Sequence, residues 1–378
     1  MKIRVYRALL LLLALCLCVA ALSACGPTVK EPVALSLSSL GVPYEGLSAR
    51  NPWDMIAYGG YLYVGAGDYD DNISPDVLMR MSLDTLKWEA LSGYEDEQIE
   101  RFLLLDGKLY IPGIDAKEDW SYGNYYTVEG DTLRKHRVLQ GGVHVWDMAS
   151  YDGKLFASLG SVEGDSPLLV SEDGAHFEEV PFVEADGSEV LYTTPFYALR
   201  VYDLMQVDGD LYAIVTRYTE AGAKAERLLY YYAPDGAMHY VCPLSDALTY
   251  VRLRYFPIIS KVPVGDSLLF STGKLYRTED MRSFTDITPK DTTYIADIIE
   301  AEGKVYALGF TPKEDGVTLL NNLYRYEEDG SLTLIAYFES AVPPLAFTVV
   351  GNRFFVALNK MNGILDYQGE IFYGSLEP

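Results

Sequence analysis

Asp106-Gly107-Lys108-Leu109-Tyr110 follows the apolar run Phe102-Leu103-Leu104-Leu105, and the same phrase returns along the chain. It reads Gly59-Gly60-Tyr61-Leu62-Tyr63, Asp152-Gly153-Lys154-Leu155-Phe156, Asp208-Gly209-Asp210-Leu211-Tyr212, Gly265-Asp266-Ser267-Leu268-Leu269, Glu302-Gly303-Lys304-Val305-Tyr306 and Gly351-Asn352-Arg353-Phe354-Phe355. An Asp-Gly pair tolerates positive φ at both central positions of a two-residue turn, the backbone that joins two twisted antiparallel strands. Each phrase therefore marks a hairpin. The second turn residues recur at intervals of 37 to 57 positions, room for one four-stranded unit and its loops.

Each copy runs on into a second hairpin, as at Leu168 to Val180 and Leu323 to Ile335. Two hairpins per repeat and seven repeats predict an all-β chain, a seven-bladed β-propeller of four-stranded antiparallel blades around a central channel. Six or eight blades remain open at this stage. After the last phrase only one strand remains, at 370–375, so the last blade lacks an outer strand. Val33-Ala34-Leu35-Ser36-Leu37-Ser38 alternates apolar and small residues and is expected to close that blade.

At the N-terminus, Lys2, Arg4 and Arg7 precede an apolar run from Ala8 to Leu22. That run is shorter than the roughly 20 residues a bilayer-crossing helix needs, and is read as a secretory signal. Leu22-Ser23-Ala24-Cys25 resembles the lipobox of bacterial lipoproteins. The resemblance implies cleavage before Cys25 and lipidation of its thiol. The expected division is a signal peptide at 1–24, a lipidated Cys and tether at 25–32, and the propeller at 33–378. It implies a bacterial cell envelope location, anchored to a membrane by lipid and facing its extracytoplasmic side.

Loss of Lys2, Arg4 and Arg7 takes the formal charge from −24 to −27. So acidic a surface repels nucleic acid, which is excluded as a partner. Of four cysteines only Cys242 remains beyond the signal and the lipid site, so no intramolecular disulfide can form, and Cys242 is read as a buried inert thiol. His136, His144, His176 and His239 show no metal-ligand spacing.

Three second hairpins share Ser82-x-Asp84-x-x-x-Trp88, Ser171-x-Asp173-x-x-x-Phe177 and Thr278-x-Asp280-x-x-x-Phe284. They resemble the Asp-box (BNR) repeats of sialidase-like propellers in a degenerate form. The resemblance implies a turn-stabilising role on the face opposite a binding site.

Aligned on the turn, the position six residues upstream holds Asp54, Arg101, Asp147, Asp203, Ser260, Asp297 and Ala346, placed at the start of each inner strand. Trp53, Trp146 and Tyr202 precede three of the acids. One reading is a ring of carboxylates at the channel mouth with Arg101 as counter-ion, able to hold a cation, an amine or sugar hydroxyls. The other is that each Asp accepts backbone amides, since a residue repeated by position answers a repeated backbone need. Both stay open.

Asp68, Asp70 and Asn72 alternate oxygen ligands, a candidate Ca2+ loop lacking the Gly and distal Glu of an EF-hand. Trp120 lies in the acidic, aromatic stretch 115–126, a candidate glycan platform. The long connection between Phe182 and Arg200 carries Glu184, Asp186, Glu189, Tyr192 and Tyr197. A sialidase-type site needs three arginines, and only Arg101, Arg200, Arg252 and Arg254 are placed for it, without the family's N-terminal Arg motif. No nucleophile elbow, P-loop or dinucleotide fingerprint is present. The chain is read as a membrane-anchored module that binds a glycan, a cation or an envelope protein without performing chemistry. The alternatives are a sialidase-like glycoside hydrolase or lyase, and a scaffold in an envelope assembly.

Overall fold

A computed structural model describes residues 31–45, 51–67, 77–161, 166–190, 199–219, 224–245, 248, 260–361 and 367–377. Two short strands lead, β1 (Val33–Ala34) and β2 (Ser38–Ser39). An antiparallel meander follows in β3 (Asn51–Tyr58), β4 (Tyr61–Gly67), β5 (Val77–Ser82) and β6 (Trp88–Ser92). After β7 (Asp96–Gln98) come β8 (Leu103–Leu105) and β9 (Lys108–Pro112), then β10 (Ile114–Ala116), then β11 (Tyr122–Glu129) and β12 (Thr132–Gln140). Here β8, β9, β11 and β12 make the meander, while β7 and β10 pair with each other outside it.

The next meander is β13 (Gly142–Tyr151), β14 (Lys154–Ser161), β15 (Leu168–Ser171) and β16 (Glu178–Glu179). A short strand β17 (Phe182–Val183) precedes β18 (Leu199–Val207), β19 (Asp210–Thr219), β20 (Lys224–Tyr232) and β21 (Met238–Pro243). Then follow β22 (Ser260–Val264), β23 (Ser267–Ser271), β24 (Leu275–Thr278) and β25 (Thr285–Asp286). The chain continues through β26 (Tyr294–Ala301), β27 (Lys304–Pro312), β28 (Leu319–Tyr326) and β29 (Leu332–Ser340), and finishes with β30 (Pro344–Val350), β31 (Arg353–Met361) and β32 (Tyr367–Ser375).

The architecture is all-β and propeller-like. First strands of neighbouring meanders lie beside one another, β13 with β18, β18 with β22, β22 with β26, β26 with β30 and β30 with β3, so they surround a common centre. The turn phrases behave as their residues dictate. Asp106 and Gly107 have φ of 49° and 78°, and Asp152-Gly153, Asp208-Gly209 and Glu302-Gly303 repeat the pattern.

Successive residues of a strand point to opposite faces, so a run of apolar residues gives a sheet two faces to cover; Leu62 and Val64 pack on one side of β4 and Tyr63 on the other. Tyr63, Leu78 and Ile99 pack with Leu109, Ile111 and Tyr126. Phe156 and Leu168 pack with Leu204, Leu211 and Tyr230. Between the last meander and the first, Phe355, Ala357 and Ile371 meet Met55, Leu62 and Val64. Full burial of side chains such as Phe355 and Leu62 contributes about 1.5–3 kcal/mol each, so this junction resists opening.

The N-terminal segment closes the last sheet, but through residues 38–41 and not through the whole of 33–38 as expected. Ser38 and Ser39 pair antiparallel with β32, and the pairing extends through Leu40 N to Ile371 O and Ile371 N to Gly41 O. Val33 and Ala34 instead run parallel to β29, the outer strand of the preceding sheet. The correction has a physical basis in Leu35 and Leu37, which pack into the cluster between these two sheets and hold the strap across both. Farther on, Tyr44 donates to Val64 O at 2.7 Å and accepts from Met79 N, while Trp88 Nε1 donates to Leu40 O at 2.7 Å. One strap thus laces the last sheets to the first.

The Ser/Thr-x-Asp hairpins are self-bonded turns. Ser171 Oγ accepts from Gly174 N, and Asp173 Oδ1 accepts from Ala175 N and His176 N. Thr278 and Asp280 repeat this with Met281, Arg282 and Ser283, while Ser82 Oγ accepts from Thr85 N. Cys242 is half-buried and carries a free thiol, less enclosed than expected because β17 pairs with β21 only at Met238 and His239, short of the thiol.

Candidate functional site

The aligned acids lie behind a recurring backbone defect. Pairing along the first hairpins skips one residue at Trp53, Trp146, Tyr202 and Ala296, a β-bulge directly before Asp54, Asp147, Asp203 and Asp297. A bulge leaves an amide out of the ladder and bends the strand. The carboxylate that follows supplies the missing acceptor. Met55 N donates to Asp54 Oδ1 at 2.8 Å, Met148 N to Asp147 Oδ1 at 3.0 Å and Ile298 N to Asp297 Oδ1 at 2.9 Å.

The second oxygen reaches the neighbouring meander. Phe102 N donates to Asp54 Oδ2 at 2.7 Å, and Leu204 N to Asp147 Oδ2 at 2.8 Å. Asp54 and Asp147 therefore clamp one sheet to the next through backbone amides, the repeated backbone need weighed in the sequence. Their placement at strand starts on a channel mouth is corrected. The strands begin three to five residues earlier, and Asp147, Asp203 and Asp297 are buried in the wall.

Arg101 is not a lone counter-ion. Its Nη1 lies 2.6 Å from Asp147 Oδ1 and its Nη2 2.9 Å from Asp203 Oδ1. Lys261 Nζ bonds Asp147 Oδ2 and lies 3.3 Å from Asp203 Oδ1. Two cations and two carboxylates thus alternate in the wall. Burial pushes the Asp147 carboxyl up, but the adjacent Arg101 and Lys261 charges outweigh it and hold the group below its ordinary value. For Asp203 burial wins, helped by the charge of Asp147, and the group is held above its ordinary value despite Lys261 and Arg101. The chain itself supplies the cation that an external ligand was expected to bring to Asp147 and Asp203.

Among the aromatic candidates, Trp53 is buried and its Nε1 donates to Gly67 O at 3.2 Å. Trp146 and Tyr202 are buried against Ile114. Trp120 differs: it is 43% exposed, as is Tyr122, over whose ring Arg137 sits at 5.7 Å.

A separate constellation forms where β7 and β10 cross between sheets. Gly67 pairs with Gln98, Gln98 with Ile114 and Ile114 with His144, stitching β4, β7, β10 and β13 edge to edge. The crossing brings Asp115 on β10 within 3.0 Å of His144 Nε2, with side-chain exposures of 21% and 17%. Asp115 has φ of +51°, a left-handed backbone that an Asp tolerates better than most residues. Burial raises the Asp115 carboxyl, yet hydrogen bonds from His144 and Glu97 and the charge of Arg200 bring it below its ordinary value.

Beneath this group, His144 stacks on Trp146 with centroids 4.7 Å apart, and Trp146 lies 5.1 Å from Tyr202. Arg200 Nη1 donates to Tyr202 Oη at 3.4 Å. Sequence reasoning did not assemble these residues, because 97, 115, 144 and 200 lie on four different segments. The available signal was weak, a run of consecutive charged and apolar residues from Asp96 to Phe102 that is buried throughout.

Among the described residues no three His, Cys, Asp or Glu side chains converge as a metal site requires. The Ca2+ candidates Asp68, Asp70 and Asn72 lie outside the described residues, as do Cys25, Arg252 and Arg254.

No family model matches the chain. It is 30% identical over 132 residues to glutathione S-transferase A3 of Mus musculus, across 34% of this chain and 57% of that protein. With glutathione S-transferase alpha-5 of Rattus norvegicus it shares 28% over 153 residues, 39% of this chain and 66% of the relative. The chain spans less than two thirds of either relative. Among solved structures it is similar to the WD40 β-propeller domain of Doa1, with a TM-score of 0.44, 13% identity, and coverage of 85% of this chain and 92% of that one.

Proposed function

We propose that the chain is a lipid-anchored, extracytoplasmic binding module built on a seven-bladed propeller, with Cys25 as the acylated residue and the ligand docking at the Asp115–His144 crossing. The blade count is supported by the meanders themselves and by the apolar clusters that run from sheet to sheet back to the first. The self-bonded Ser/Thr-x-Asp turns favour the reading of those hairpins as degenerate Asp-boxes with a structural role.

The observation that carries the binding site is a contrast in commitment. Asp54 and Asp147 are spent on backbone amides, and Arg101 and Lys261 on buried carboxylates. Asp115 and His144 keep accessible surface beside Arg200. Binding without chemistry is favoured over glycoside hydrolysis here, because Glu97 and Asp115 share a hydrogen bond, whereas glycosidase carboxyls stand roughly 5 to 9.5 Å apart to flank the scissile bond.

The test is a thermal-shift screen of the full chain in detergent against neutral oligosaccharides, polyamines, Ca2+, glutathione and basic peptides, repeated with Asp115→Asn. Glutathione belongs in the panel because of the partial likeness to the transferases. A compound that raises Tm in the parent and not in the variant supports the site. If every stabilising compound acts equally on both, the ligand does not dock at Asp115.

A further inference from the structure

We infer that the Asp115 crossing is a subsite for an uncharged, hydroxyl-rich sugar, with Trp120 and Tyr122 as its stacking platform. The inference rests on the site reading above and adds the class of ligand. Both signs of charge meet at the crossing. The Asp115 carboxyl, held below its ordinary value, lies 3.0 Å from His144 Nε2 and in the field of the Arg200 guanidinium. A strongly cationic ligand would meet the guanidinium, and an anionic one the carboxyls. A neutral ligand with adjacent donors and acceptors meets neither penalty.

The hydrogen-bonding inventory suits vicinal hydroxyls. A carboxylate accepts from two hydroxyls at once, while guanidinium and imidazole donate back to hydroxyl oxygens. Asp115 and His144 present both functions 3.0 Å apart, and the His144 ring is held in orientation by its stack on Trp146. A displaced Asp115–His144 contact would be replaced by bonds through the sugar, so ordering costs little.

The apolar face of a pyranose needs a flat, exposed ring, which the buried Trp53, Trp146 and Tyr202 do not offer. Trp120 and Tyr122 do. They follow β10 directly in the chain and flank Ser121, whose carbonyl accepts from Gly141 N three residues before His144. Arg137 donates to Asp119 O at 2.7 Å and also bonds Asp119 Oδ2 at 3.1 Å, while Lys135 bonds Glu118, so this segment is held in place. The short stretch from Asp115 to Tyr122 thus carries both the polar groups and the aromatic rings, a layout that suits a saccharide chain better than a single small ion.

The experiment is calorimetric titration of the full chain in detergent with neutral hexasaccharides (β-1,4-glucan, α-1,4-glucan and β-1,4-linked N-acetylglucosamine), with a hexauronate and spermidine as charged controls. At least one neutral hexasaccharide is expected to bind. Asp115→Asn, which suits the left-handed backbone, is expected to weaken it by about tenfold or more, and Trp120→Ala by about tenfold through loss of stacking. Trp120 is exposed, so its variant folds and keeps the test decisive even if Asp115→Asn does not. Absence of binding by all three neutral hexasaccharides overturns the sugar assignment, as does binding unchanged in both variants. Spermidine or hexauronate binding that is lost in Asp115→Asn would overturn the sugar class while leaving the site in place. Failure of every ligand to depend on Asp115 would remove the site itself.

Discussion

Replacing Lys261 by Met tests whether the alternating charges of the wall act as a unit. Lys261 Nζ bonds Asp147 and lies 3.3 Å from Asp203, and both carboxylates are wholly buried. With the ammonium gone, Arg101 is left facing two buried carboxylates at 2.6 and 2.9 Å. Removing one partner of a buried ion pair costs about 3–5 kcal/mol, since the surviving charge is left uncompensated. Asp147→Asn should cost a similar amount for the opposite reason, two cations left on one carboxylate. Combined, the two substitutions leave the Arg101–Asp203 pair intact and neutral. The double variant should therefore lose about as much as either single one, a coupling energy equal to one single loss, about 3–5 kcal/mol. Urea denaturation followed by tryptophan fluorescence reads all four proteins, and urea avoids the screening that a salt denaturant would introduce. Additive losses, or single losses below about 1 kcal/mol, would refute the linked cluster.

Four further outcomes follow from named contacts. Asp96 is buried and its pKa is raised to about 6, chiefly by desolvation against bonds from Asn124 and Tyr126. A raised folded pKa stabilises fully below the ordinary carboxylate value and loses that contribution as pH rises through about 6. Relative to Asp96→Asn, the parent should thus lose about 2 kcal/mol between pH near 4 and pH near 7.5, seen in paired urea titrations; no difference in pH profile would contradict the assignment. Gly113→Ala should unfold or sharply destabilise the chain, because a Cβ there would stand 1.8 Å from Asp96 Oδ2 and 2.7 Å from Asn124 O, and a melting curve like the parent's would refute it. Tyr44→Phe removes one buried donor and acceptor joining β4 and β5 to the N-terminal strap, and should cost about 1–3 kcal/mol, read by urea denaturation; a loss well below that would mean the strap is not anchored there. Cys25→Ser should move the protein from the membrane to the soluble exported fraction, with no acyl mass on intact-protein spectrometry; continued membrane partition would contradict lipidation at that residue.

The hairpins were legible because Asp-Gly and its relatives state their own backbone, and the φ values at Asp106, Asp152 and Asp208 follow. The aligned acids were legible as a repeat, but not their depth. A bulge adds one residue to a strand without any composition change, so Trp53 and Trp146 read as neighbours of an opening when they are enclosed between sheets. Lys261 escaped notice because it sits one position past the aligned Ser260 and reaches its partners through a long side chain. The N-terminal strap was expected as one strand and is divided between two sheets. Residues 33–38 alternate well enough for one strand, yet Leu35 and Leu37 gain more by spanning two sheets. The Asp115 crossing left only a weak linear signal, being made by two three-residue strands, β7 and β10, that lie outside the meander repeat.

The most direct test separates the charges that hold the wall from those that meet the ligand. Tm and hexasaccharide affinity should be measured side by side in the parent, Asp115→Asn and the Asp147→Asn/Lys261→Met pair. Asp115→Asn should melt within a few degrees of the parent, as loss of a partly exposed pair costs about 1 kcal/mol or less, and should lose binding. The wall variant should melt lower and bind with unchanged affinity below its transition. If instead the wall variant keeps its Tm and loses binding while Asp115→Asn binds like the parent, the ligand lies among the buried acids and the assignment given to the crossing is wrong.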